Sequence, residues 1–276
     1  MSELYNNAGA ITDQLRVLVK LIKMEANSPL SAIVTTFSNN QNGVKARDFK
    51  SDNPLQIRLQ NEFNSAYKHK WFYEIRRGED NKGATTITNE EAGLYLMAFD
   101  LHKPWTTHRK YQVFEDEHAA LFGRPVVSAH RIVLCHVLMM RISEAMKELK
   151  NTLFAKNALT KYVVLYILRL ILEEDVIGKE MLEHPEHFRL NPTNQKALQT
   201  CIDTILKHVI IDLNAEVEQL GEDFDYRGKL RDEAWGKGLA LRVVAQYRKL
   251  VSRDRIESLS LQFNRLIKRK RKSNKL

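Results

Sequence analysis

Ser38-Asn39-Asn40-Gln41-Asn42-Gly43-Val44 opens a stretch that continues through Arg47-Asp48-Phe49-Lys50-Ser51-Asp52-Asn53-Pro54 and closes on Trp71-Phe72-Tyr73-Glu74-Ile75-Arg76-Arg77-Gly78. Ser51-Asp52-Asn53-Pro54 is a helix start signal, and Leu55, Leu59 and Phe63 follow at i, i+4 and i+8 on one helix face. The run from Trp71 to Ile75 reads as a short strand. A helix and a strand in one stretch make this part of the chain mixed α/β. Side-chain amides, carboxylates, guanidinium groups and aromatics gather here outside any simple amphipathic pattern.

Towards the N-terminus, residues 15–24 are rich in β-branched and aliphatic side chains and read as a strand, with Val17, Val19 and Leu21 on one face. Ser28 and Pro29 then suit the N-cap and first position of a helix reaching Phe37 or Ser38. Towards the C-terminus, residues 79–86 carry Gly, Asn and Lys and read as an exposed loop. Thr88 stands three residues before Glu91 in a capping-box arrangement, with Leu94, Tyr95, Ala98 and Leu101 on one face of the helix it starts. Residues 102–127 are irregular. From Ser128 onward the apolar residues keep a helical period over 128–150, 157–183, 193–220, 235–251 and 254–272, divided at His184-Pro185, Asn191-Pro192 and Gly221. The expected fold is α+β but mainly α: a small N-terminal α/β region with few short strands, 1–127, followed by an all-helical C-terminal half, 128–276.

The chain has 276 residues and a net charge of +9. Seven of its cationic residues lie between Arg265 and Lys275, leaving about +2 for the remainder. The basic character is thus concentrated in a tail, Lys268-Arg269-Lys270-Arg271-Lys272. It reads either as a solvated helix end whose cations suit the helix dipole or as a salt-sensitive contact for nucleic acid or an acidic partner. Cys135 and Cys201 sit in apolar helical patterns and read as buried thiols of a reducing compartment. The N-terminus is polar where a secretory signal needs a cationic start and an apolar run. The most apolar segment, 162–172, is interrupted by Arg169 and falls short of the roughly 20 residues of a spanning helix. A cytoplasmic protein with no membrane partner is expected.

The sequence holds no glycine-rich phosphate loop, no Gly-X-Ser-X-Gly elbow, no His-Glu-X-X-His and no Cys-X-X-Cys. Glu183-His184-Pro185-Glu186-His187 contains two imidazoles and two carboxylates, but Pro185 breaks the helix that would align them, so a surface turn and no metal site is expected. His130 and His136 read as core or boundary residues. Asp48, Glu62 and Glu74 are the candidate catalytic carboxylates, able to hold a divalent ion beside Arg76 for phosphodiester cleavage if they converge, and otherwise solvated or capping residues. Asn39, Asn40, Gln41 and Asn42 suit either turns or contacts to nucleotide bases or a partner backbone. Arg76 and Arg77 would add phosphate contacts, and Trp71, Phe72 and Tyr73 would add stacking faces.

The order Ser38-Asn39-Asn40-Gln41-Asn42-X-Val44, Asp48-Phe49-X-Ser51, Pro54-X-Gln56-X-X-Leu59-X-X-X-Phe63 and Tyr73-Glu74-X-Arg76-Arg77-Gly78 resembles the abortive-infection phage-resistance (AIPR) family. The resemblance spans residues 15–125 and fades over the helical remainder. It implies a bacterial antiviral defence protein that acts with other defence proteins, and it carries over no catalytic residue. Family members carry further Asn-Asn-Gly-Ile-Thr-like and Asn-Gly-X-Gln-Thr-like segments upstream. Asn6-Asn7-Ala8-Gly9-Ala10-Ile11-Thr12 echoes the first only loosely, so the chain is expected to be the C-terminal portion of a longer domain.

Three functional readings follow. The first is a defence protein that binds nucleic acid or a defence partner through residues 40–77. The second is a metal-dependent nuclease, or nuclease subunit of a restriction-like system, needing a divalent ion. The third is a helical scaffold that forms an oligomer.

Overall fold

The computed structural model describes residues 47, 50–68, 70–189, 191–221 and 223–273. Residues 46–276 form one compact unit. The expected strand over 15–24, the helix after Ser28, Asn39 to Asn42 and Asp48 lie outside the described residues.

Helix α1, Pro54–Ala66, starts where the sequence signal places it, with the Asn53 side chain accepting from the Leu55 amide at 3.0 Å and Pro54 at the first position. It buries Gln56, Leu59 and Phe63. Strand β1, Trp71–Glu74, follows. The expected loop then gives way to a second strand, β2, Thr85–Thr88, which pairs with β1 in parallel, Trp71 opposite Thr85 and Glu74 opposite Thr88. The connection over 75–84 contains no helix. It turns at Asp80 and Asn81, whose side chains accept from the Lys82 and Gly83 amides, with Lys82 and Gly83 in the left-handed region.

Thr88 ends β2 and starts α2, Asn89–Phe99, through the expected reciprocal capping box with Glu91. Residues 92–99 are buried on every face, so α2 is a central helix rather than an amphipathic one on the surface. Residues 102–127 form two 3₁₀ turns, Pro104–Thr106 and Lys110–Val113, and a short helix, α3, His118–Phe122.

The remaining elements are helical, as expected, with more breaks than the sequence suggests: α4 Ala129–Ala145, α5 Thr152–Lys156, α6 Thr160–Glu174, α7 Val176–Glu183, α8 Pro185–Arg189, α9 Pro192–Glu218, α10 Tyr226–Lys229, α11 Glu233–Ser252 and α12 Leu259–Ser273. The expected helix over 157–183 is cut at Asp175. Its carboxylate turns back to accept from the Ile177 and Gly178 amides at 2.9 and 3.3 Å and starts α7. Helix α2 packs against α4 and α6, and a single apolar core runs from Leu59 to Phe263. The expected division at 127/128 therefore corresponds to no break in the core.

One ionic cluster lies inside that core. Asp100, the C-cap of α2, accepts from Arg131 of α4 at 2.5 Å and from Arg124 at 3.0 Å, and the Asp100 and Arg131 side chains are 0% and 2% exposed. Arg131 also donates to the Leu182 carbonyl at the end of α7, 2.5 Å away. The Phe99 ring has the Arg131 and Arg169 guanidinium groups 5.2 and 5.3 Å from its centre.

Candidate functional site

Much of the polar chemistry of the stretch between Arg47 and Gly78 turns inward. Tyr73 is fully buried, its ring stacked on Phe63 at 5.1 Å, and its hydroxyl donates to Gln56 Oε1 at 2.8 Å. The expectation that Tyr73 presents a stacking face is therefore corrected: within β1 it takes the inward position, against the apolar face of α1. Gln56, also fully buried, lies 3.2 Å from His118 Nε2 through its amide nitrogen. With Gln56 donating, His118 must accept on Nε2, which is the neutral imidazole. Burial, and secondarily the Lys50 charge, holds the His118 pKa down at about 4.

Because the unfolded imidazole protonates nearer 6.5, falling pH stabilises the unfolded chain first. Stability is expected to fall as pH is lowered from about 6.5 to about 4, the contribution being fully present above that window. Urea midpoints measured across it should slope less in His118→Gln, which retains a neutral acceptor; an identical slope would show that His118 does not titrate this way.

Two of the candidate carboxylates, Glu62 and Glu74, are committed to structure. Glu74 accepts from Arg47 at 2.7 Å, and Arg47 also donates to Asn89 at 2.6 Å, clamping β1 to the start of α2. Glu62 pairs with Arg58 at 2.5 Å and accepts from the Ala129 amide at 2.9 Å, capping α4 from outside. Arg58 in turn donates to the carbonyl of Val127 at 3.0 Å. Glu62 and Glu74 thus serve two different joints, and neither belongs to a three-ligand metal group among the described residues. Arg76 and Arg77 are exposed beyond β1, Arg76 paired with Asp52.

The outward side of the same elements is an open groove of about 470 Å³, lined by Gln60, Asn64 and Lys68 of α1 and its end, Trp71 and Phe72 of β1, and Asn81 and Lys82 of the loop before β2. Lys68 and Lys82 are exposed, Trp71 and Phe72 half-buried. The Trp71 indole N–H has no hydrogen-bond acceptor among the described residues. Glu79 and Asp80 also border the groove, but Glu79 accepts from the Ile75 and Arg76 amides and from Gln60, and Asp80 accepts from the Lys82 amide. Lys68 and Lys82 were not singled out by the sequence. Lys68 stands three residues before Trp71 at the end of α1, and what brings Lys82 to the same groove is the parallel pairing of β2 with β1.

Elsewhere, Cys135 and Cys201 are free and buried, and burial pushes both thiols well above their ordinary pKa, Cys201 to about 12. His130 and His136 sit at the edge of the core, facing the hydroxyls of Tyr67 and Tyr95 at 2.6 and 3.4 Å. Lys268 is exposed on α12, whose last turns also contain Arg269, Lys270, Arg271 and Lys272. At the turn at Pro185, His184, Glu186 and His187 each place a ligand atom within 4.8 Å of the others. No helix among the described residues is long and apolar enough to cross a membrane.

These features define a mainly helical protein with a small α/β corner that presents an amide-, aromatic- and lysine-lined groove, and whose two described candidate carboxylates are tied into structural joints. The family model described as AIPR protein matches residues 1–276, and the chain belongs to that family, which is associated with abortive phage infection defence. The match includes the helical half, so the resemblance is not confined to residues 15–125. No curated protein and no solved structure matches the chain.

Proposed function

We propose that this defence protein binds single-stranded nucleic acid in the groove floored by Trp71 and Phe72. The observation that carries the reading is the juxtaposition of two partly exposed aromatic rings with two exposed lysines and the exposed side-chain amide of Asn64 in one concavity. Bases stack on aromatic faces, ammonium groups neutralise phosphates, and amides pair with base edges. Arg76 and Arg77 extend the cationic rim, and the tail from Lys268 to Lys272 adds a longer-range attraction.

Fluorescence anisotropy with labelled single-stranded DNA and RNA, at low and moderate salt, tests this. Trp71→Ala is expected to weaken binding by about 5-fold or more, the size of one lost stacking contact. Lys68→Ala combined with Lys82→Ala is expected to weaken it and flatten its salt dependence. Absence of binding by the folded protein at low salt would overturn the proposal, as would full affinity in both variants.

A further inference from the structure

Helix α7 ends at Glu183, His184 is its C-cap, and Pro185 begins α8 without a connecting loop. Proline lacks the amide hydrogen that a continuing helix needs, but its fixed φ suits the first position of a new one. The break therefore folds the chain rather than spreading it. The His184 amide still donates to the Glu180 carbonyl at 2.7 Å, and the His187 amide donates back to the His184 carbonyl at 3.1 Å. The two imidazole rings lie stacked, 5.0 Å apart and 20° from parallel. Glu186 Oε1 is 3.3 Å from His184 Nδ1, and Glu180 Oε1 is 3.5 Å from His187 Nδ1.

We propose that His184, Glu186 and His187 form a surface site for a divalent transition ion of the zinc class, with Glu180 as a second carboxylate in reach. Bonds of about 2.0–2.2 Å in a tetrahedral site put neighbouring ligand atoms roughly 3.3–3.6 Å apart. The His184–Glu186 separation already has that value, and the third ligand atom stays within 4.8 Å of both. Two imidazoles with a carboxylate select zinc, cobalt or nickel over magnesium and calcium, which prefer all-oxygen shells. Three protein ligands leave a fourth position for water or for a side chain of a bound partner.

The base of the site is fixed while its ligands face solvent. Pro185 and Phe188 are buried, and Phe188 packs on Phe263 at 5.7 Å. Arg131 holds the Leu182 carbonyl from below, and Asn194 donates to the His187 carbonyl at 3.3 Å. The His184 and His187 side chains are each 54% exposed. An ion can therefore enter without opening the core, and little backbone ordering remains to oppose binding.

Isothermal titration of the full chain with zinc chloride, with magnesium chloride as control, tests the site. One zinc per chain is expected, with no saturable magnesium binding, and zinc should raise the thermal midpoint by mass action. The double variant His184→Ala/His187→Ala should keep the helical circular dichroism of the parent and lose at least about 10-fold in zinc affinity, and Glu186→Gln should weaken it as well. No zinc binding by the folded parent, or undiminished binding by the double variant, would overturn the proposal.

Discussion

Asp100→Asn is expected to lose about 3–5 kcal/mol of folding stability, the cost of removing one partner from a buried ion pair. The Asp100 carboxylate is fully buried between Arg131 and Arg124, and Arg131 is 2% exposed. Neutralising Asp100 strands a guanidinium inside the core, where water cannot replace the lost charge. Arg131 cannot simply swing out, because its other donors hold the Leu182 carbonyl and its face lies on Phe99. Against a total stability of roughly 5–15 kcal/mol the loss brings the protein near its folding threshold. Urea denaturation followed by circular dichroism measures it; a loss below about 1 kcal/mol would show that the pair is relieved by local rearrangement.

Gly178→Ala is expected to cost about 3 kcal/mol, the upper end of ordinary overpacking. A methyl group at Gly178 would stand 2.2 Å from the Leu172 carbonyl oxygen and 2.8 Å from the Leu172 carbonyl carbon and Cα. These are backbone atoms and cannot rotate away. Nor is the corner between α6 and α7 free to widen: Asp175 holds the Ile177 and Gly178 amides on one side and the Ser260 amide and hydroxyl on the other, at 3.1 and 2.5 Å. Lys179→Ala, one residue along the same helix, is the control and should be close to neutral. Thermal unfolding of the two variants side by side separates backbone collision from a general effect on α7.

The elements most legible in the sequence were those whose local chemistry and tertiary role agree. Thr88 and Glu91 cap α2, Asn53 and Pro54 start α1, and α9 and α11 keep a helical period because each buries one stripe. Strand β2 was hidden by its neighbours. Thr85-Thr86-Ile87-Thr88 is a β-branched run, but the glycine and asparagine before it read as loop, and only Ile87 is buried. Composition could not say which way Tyr73 faces, since that is set by the register of β1 on α1.

The candidate site was legible in part for the same reason. Trp71 and Phe72 were visible as aromatics and Lys68 stands three residues before the first of them, whereas Lys82 becomes their neighbour only through a pairing between strands. Asp100 and Arg131, 31 residues apart, gave no local signal at all, because nothing in a helix end or a helix start announces a partner elsewhere. At Pro185 the local signal was incomplete. A helix breaker implies dispersal only if the chain after it extends, and here a new helix begins at the proline itself.

The burial of α2 on all sides also fixes the size of the unit that can be handled or inherited. Helix α2 finds more of its neighbours on α4 and α6, encoded after residue 128, than on the strand before it. A polypeptide ending near 127 would carry the groove residues yet leave that helix bare to water, and α4 and α6 would lose the helix they pack against. The groove and the helical half therefore stand or unfold together, and exchange of one between relatives requires exchange of the other.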